Sequence, residues 1–181
     1  MTRNLILCFG MLCLCLQAGA QLVIARQGKV AFFSYTPVEH IKAENRRVMA
    51  IMDLHSGEVA VSMLMKDFVF EKAMMREHFN ESYVESDLYP KATFEGNILD
   101  FQTQGTQEQT RIIKGIFSLH GMAQQQEIKA RIENILGRYV LSGSFDVVVR
   151  DYGIRIPALL AGNIAETVAV DFRFEFEPYE N

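Results

Sequence analysis

Residues 168–176 have the sequence VAVDFRFEF, in which every second side chain is a valine or a phenylalanine. The residues between them are Ala169, Asp171, Arg173 and Glu175. Successive side chains of a β-strand point to opposite faces, so this stretch predicts a strand with one buried and one exposed face. One-sided strands of this kind are typical of antiparallel sheets.

The same alternation recurs through the chain. Residues 126–133 and 139–149 repeat it, and glycine-containing turns at residues 120–123 and 134–137 predict hairpins. The apolar pattern predicts further strands at residues 29–34, 38–43, 47–53, 58–66, 92–100 and 112–119. About nine strands with mostly short connections are typical of a sandwich or an up-and-down barrel.

We predict an all-β fold, an up-and-down antiparallel barrel of about eight strands with a short helix inserted between strands. Closure removes the exposed edges of the sheet, and a barrel of this size can hold one small ligand. Four small residues occupy strand positions that otherwise carry the apolar side chains of the alternation: Gly96, Gly115, Ala130 and Gly143. They either mark bends of a twisted sheet or leave the interior hollow for an elongated apolar ligand, and the sequence leaves both open.

Residues 75–96, MREHFNESYVESDLYPKATFEG, interrupt the strands. Residues 71–80 have helical spacing, and Glu71 in the first turn suits the helix dipole. Pro90 forces the residue before it into extended backbone, which leads into the next strand. We therefore predict a short helix and a turn that cover one end of the barrel.

This segment resembles the signature of the YceI-like family of exported lipid-binding proteins, in which His-Phe-Asn leads through Asp-x-Tyr-Pro into Ala-Thr-Phe-x-Gly. Residues 114–121, KGIFSLHG, are similar to the family's hairpin that ends in His-Gly. Residues 145–154, FDVVVRDYGI, and residues 162–170, GNIAETVAV, also agree with it. The resemblance implies a lipocalin-like barrel with a long apolar cavity. It also implies an amphiphilic ligand, a polyisoprenoid or quinone-type lipid, whose polar end lies near the mouth.

We predict that apolar side chains line such a cavity, although each could equally be ordinary filled core. The candidates are Phe68, Phe70, Met74, Phe117, Leu119, Phe145, Val147 and Phe172. Arg150, at the end of a predicted strand, could hold a phosphate or quinone oxygen by a charge-assisted hydrogen bond. The alternative is that Arg150 pairs with Asp151 or another surface acid.

The N-terminus has the three-part pattern of a secretory signal peptide. Arg3 precedes the apolar residues 5–16, and residues 18–20 are Ala-Gly-Ala. We predict cleavage after Ala20, which leaves residues 21–181 as one lipid-binding barrel domain in the periplasm or outside the cell. The three cysteines of the chain all lie in the removed peptide, so the mature chain is predicted to have no disulfide.

Other functions are disfavoured by the pattern of polar residues. A net charge of −4 without basic blocks argues against a nucleic-acid partner. The four histidines lack metal-ligand spacing, and Ser142 and Ser144 lie within a predicted strand rather than on a nucleophile elbow. We predict no enzymatic activity, no metal, no cofactor apart from a bound isoprenoid or quinone-type lipid, and no membrane span after residue 20. A homodimer is left open.

Two hypotheses of function remain. In the first, the barrel is an exported carrier that takes up a long apolar chain without changing it chemically. In the second, the barrel is packed throughout and binds a protein of the cell envelope through residues 71–90 or 151–167. A filled barrel would have no continuous internal cavity, which separates the two hypotheses.

Overall fold

Eight long antiparallel strands close into a barrel in the computed structural model, which describes residues 21–103, 108–157 and 162–179. Each long strand pairs with the next long strand along the chain, and β9 pairs with β1 to close the barrel. This is the predicted up-and-down topology. The strands are β1 (Leu22–Tyr35), β2 (His40–Asp53), β3 (Glu58–Leu64), β4 (Val69–Phe70), β5 (Lys91–Ile98), β6 (Gln109–Leu119), β7 (Met122–Ile135), β8 (Arg138–Val148), β9 (Thr167–Glu175) and β10 (Glu177–Pro178), of which β4 and β10 are short edge pairings.

One strand prediction is wrong: residues 38–43 and 47–53 are not two strands. Residues 40–43 and 47–53 belong to the single strand β2, which continues through the polar residues between them. Asn45 is fully buried there, at 0% exposure, because its Nδ2 donates to the Leu64 carbonyl (3.0 Å) and its Oδ1 accepts from the Arg47 N–H (2.8 Å). The pairing register with β1 shifts on both sides of Gly28, so the polar residues mark an irregular part of a strand, not a turn.

A short helix lies between β4 and β5, as predicted. α1 (Ala73–His78) continues directly into one π-helical turn, Phe79–Tyr83. The Phe79 ring packs against Phe32, Phe68 and Phe70 at centroid distances of 5.4, 5.8 and 5.0 Å, which fixes the helix end on the barrel. In the part of the chain that the structure describes, no helix has the length and apolar character needed to cross a membrane.

The half of the barrel near the β2–β3 and β7–β8 turns is filled with side chains. Met52, Ile98, Ile132, Leu141 and Phe176 are almost completely buried there. Together these side chains pack this end of the barrel.

The small residues on the apolar face of the strands do not leave empty space in this interior. A Cβ on Gly115 would overlap the Glu95 carbonyl oxygen and lie 2.6 Å from the Phe94 ring, and one on Gly143 would lie 2.9 Å from the Phe172 ring. The glycines let phenylalanine rings lie against the strands, so the hollowing alternative is wrong at these positions.

Candidate functional site

A cavity of about 380 Å³ occupies the end of the barrel where β1, β3, β6 and β8 finish. Its barrel wall is mostly apolar and includes Val30, Phe32, Met63, Met65, Ala92, Val149, Val168 and Val170. α1 and the π-helical turn after it cover one side of the cavity, with Met74, Met75, Phe79, Tyr83 and the adjoining Val84. Ile154, Ile156 and Ile164, from the connection between β8 and β9, cover another side.

Six of the nine predicted site residues line this cavity: Phe68, Phe70, Met74, Phe117, Leu119 and Val147. Phe145 and Phe172 lie deeper, beside a separate pocket of about 30 Å³ that Phe117 also lines. The Phe145 ring is 5.5 Å from that of Phe117 and 6.5 Å from that of Phe172. Of these three rings only Phe117 lines the cavity itself, and Phe145 and Phe172 lie behind it, beside the smaller pocket.

Arg150, the ninth predicted site residue, does not line the cavity. Residues Val149–Tyr152 form a 3-10 turn in which Val149 and Tyr152 face inward. The Arg150 side chain therefore points to solvent, 79% exposed, with its Nε 3.7 Å from Asp151 Oδ1. The alternative interpretation, a surface pair with Asp151, is the arrangement found.

Five residues line the cavity and are also at least partly exposed to solvent, so they form its mouth. They are Glu39, Lys72, Met74, His78 and Asn163. Lys72 Nζ lies 2.9 Å from Glu39 Oε1, so an ion pair joins the β1–β2 hairpin to the beginning of α1.

Just inside the mouth, Ser34 Oγ accepts a hydrogen bond from the Ala165 N–H (2.9 Å). These polar residues could not be found from the sequence, because they are far apart in the chain and belong to no motif.

Tyr152 anchors the beginning of the β8–β9 connection to the barrel. This side chain is 1% exposed, and its hydroxyl accepts a hydrogen bond from Gln126 Nε2 (3.2 Å). Burial raises the pKa of Tyr152, as it does for Tyr83 in the cavity wall, so both hydroxyls stay protonated at neutral pH. Residues 151–157 and 162–167 therefore lie at the same barrel end as α1, while residues 158–161 lie outside the described residues.

His120, in the turn between β6 and β7, ties both covering segments to the barrel. Its Nδ1 donates to the Tyr152 carbonyl (3.0 Å), and its Nε2 is 2.8 Å from Glu85 Oε2. The Tyr89 ring packs against the imidazole at 4.4 Å. The unusual segment at residues 75–96 is therefore a structural cover, anchored by His120 and by the Phe79 cluster. Among the described residues, no group of three acidic or histidine side chains has an arrangement that could hold a metal ion.

Comparison with solved structures finds the same barrel in several bacterial proteins. A polyisoprenoid binding domain from Saccharophagus degradans, implicated in plant cell wall breakdown, matches with a TM-score of 0.75 and 13% identity over 88% of this chain and 99% of that one. BcnA from Burkholderia cenocepacia matches with a TM-score of 0.70 and 14% identity over 83% and 96% of the two chains.

A YceI protein from Campylobacter jejuni matches with a TM-score of 0.59 and 12% identity over 81% of this chain and 90% of that one. No protein-family model and no curated protein matches the sequence. The chain therefore has the fold of solved YceI proteins, which confirms the fold implied by the sequence resemblance.

Proposed function

We propose that this chain, with its YceI-type barrel, is an exported binding protein that holds a long apolar amphiphile in the cavity and releases it unchanged. The observation that supports this most directly is the cavity of about 380 Å³ with an almost wholly apolar barrel wall. One solved structure of the same fold is named as a polyisoprenoid binding domain, which supports a ligand of that class or a quinone-type lipid.

Burial of the chain would supply the affinity. Each buried CH₂ group contributes roughly 0.8 kcal/mol, so ten buried carbon atoms contribute about 8 kcal/mol before the costs of ordering the ligand. The packed side chains deeper in the barrel would stop the chain end, so the polar end of the ligand would remain at the mouth. The packed-barrel hypothesis loses support, because it requires an interior without a continuous cavity.

Export is the second part of the proposal. It depends on the signal-peptide pattern of residues 1–20, which lie outside the described residues. Intact-mass measurement of the protein from its native host tests this part: a chain that begins at Gln21 supports export with the predicted cleavage, and a chain that retains residues 1–20 contradicts it.

Thermal unfolding tests the binding proposal. The chain contains no tryptophan, so unfolding of the delipidated protein is best followed by circular dichroism, with and without a polyisoprenoid alcohol. A ligand that binds only the folded state at 100 times its Kd stabilises it by about 2.7 kcal/mol. For a chain of this size we expect a rise in Tm of roughly 5–11 °C. An unchanged Tm with isoprenoid and quinone lipids alike would overturn the proposal.

A further inference from the structure

Among the described residues, Lys72 and Glu39 are the lysine, arginine, aspartate or glutamate side chains that line the cavity, and they are in direct contact. Lys72 Nζ and Glu39 Oε1 are 2.9 Å apart, and their side chains are 65% and 27% exposed. Both residues line the cavity, so both charges lie where the polar end of a bound amphiphile would emerge. Any charged head group at the mouth would meet the two charges together.

This pairing leaves little net field to attract a charged head group. An anionic end drawn to Lys72 would also approach the Glu39 carboxylate, and a cationic end drawn to Glu39 would approach the Lys72 ammonium. Either end would have to displace one partner of an existing pair. Arg150, the other cation considered for this role, does not line the cavity, and its side chain is exposed with its own acidic neighbour, Asp151.

The other polar groups near the mouth suit an uncharged oxygen. Ser34 is 2% exposed and lines the cavity, and its Oγ already accepts the Ala165 N–H. Among the described residues its hydroxyl proton has no assigned acceptor, so it can be donated to a ligand oxygen. The Asn163 side chain, also in the cavity wall, adds an amide that can donate or accept.

We infer that the site selects amphiphiles whose polar end is uncharged, such as an alcohol or a quinone, over those that end in a phosphate, a carboxylate or an amine. The inference rests on the carrier function proposed above and adds the class of head group. Glu39 and Lys72 are its specificity-determining residues: Glu39 opposes anionic ends and Lys72 opposes cationic ends.

The test compares three ligands with the same geranylgeranyl chain: the alcohol, the monophosphate and the primary amine. Binding is measured at low ionic strength and pH 8, where an ordinary histidine is neutral and an ordinary primary amine is charged. The measured quantity is the ratio of each charged ligand's Kd to that of the alcohol. Comparing this ratio between variants cancels differences in the solubility of the ligands.

In Glu39→Gln we expect the phosphate-to-alcohol Kd ratio to fall by about two- to fivefold, the range set by a solvent-exposed ion pair. In Lys72→Met the amine-to-alcohol ratio should fall by a similar factor, about two- to fivefold. The matched controls are Glu127→Gln and Lys114→Met, which change the same charges in an ion pair of 2.6 Å between β6 and β7, away from the cavity wall. The controls should leave both ratios at their wild-type values.

The outcomes separate this inference from the proposal on which it rests. If all three ligands bind and the mouth variants leave the ratios unchanged, the head-group inference is overturned and the carrier function stands. If none of the three ligands binds, both are overturned. The expected shifts in both ratios, absent from the controls, would support both.

Discussion

A larger side chain that fills the cavity should weaken ligand binding without lowering the stability of the ligand-free protein. Val147 is buried on β8 and lines the cavity, and Val147→Phe adds four carbon atoms that can occupy its empty space. If they take the place of four ligand carbons at about 0.8 kcal/mol each, binding weakens by about 3 kcal/mol, which raises Kd about 200-fold. The ligand-free protein should be as stable as the wild type or gain about 0.5–2 kcal/mol, as cavity-filling changes commonly do.

The assay is competition of geranylgeraniol against a fluorescent apolar probe, with circular-dichroism melting of the ligand-free protein beside it. Val148→Phe is the matched control, because alternation along β8 places this neighbouring residue on the opposite face and outside the cavity wall. It should leave Kd at the wild-type value.

Two results would refute the reasoning. A Val147→Phe protein that folds but binds the alcohol with unchanged Kd would mean that the ligand lies elsewhere. A loss of more than about 2 kcal/mol of stability without ligand would mean that the added ring meets packed atoms instead of open space.

Three further substitutions test the packed half and the covers of the cavity. Gly115→Ala should destabilise the protein by about 1–3 kcal/mol in urea unfolding, since its Cβ would overlap the Glu95 carbonyl oxygen. A variant with the same urea midpoint as the wild type would contradict this close packing. His120→Ala should cost about 1–3 kcal/mol, because it leaves the Tyr152 carbonyl without its partner. It should also speed amide exchange in residues 85–89, and unchanged exchange would show that His120 does not anchor this cover. Arg150→Gln should change the free energy of unfolding by no more than about 0.5 kcal/mol and leave the ligand Kd unchanged. A higher Kd would show that Arg150 contacts the ligand.

The strands were predictable because each has one buried face, and that constraint is visible within a single stretch such as residues 168–176. The prediction failed at Asn45 for a reason that lies elsewhere in the chain. Its burial depends on the Leu64 carbonyl, which no local pattern reveals, so its polar surroundings were interpreted as a break between two strands.

The cavity was only partly predictable. Six of the candidates named from the alternation of apolar residues line it, but most of its wall was not named, and the pattern could not show which rings lie deeper in the barrel. Gly96 faces Gly115 across β5 and β6, and Phe94 covers both, an arrangement that depends on the register between strands. The ion pair at the mouth joins residues 33 positions apart and likewise requires the folded barrel.

Native mass spectrometry of the purified protein shows whether the cavity holds an apolar amphiphile. We expect a discrete added mass that organic extraction removes, with an apolar chain in the extract. For protein purified without its ligand, we expect that incubation with isoprenoid or quinone lipids restores such a mass. A protein that stays at the mass of the bare polypeptide both before and after that incubation would contradict binding in the cavity.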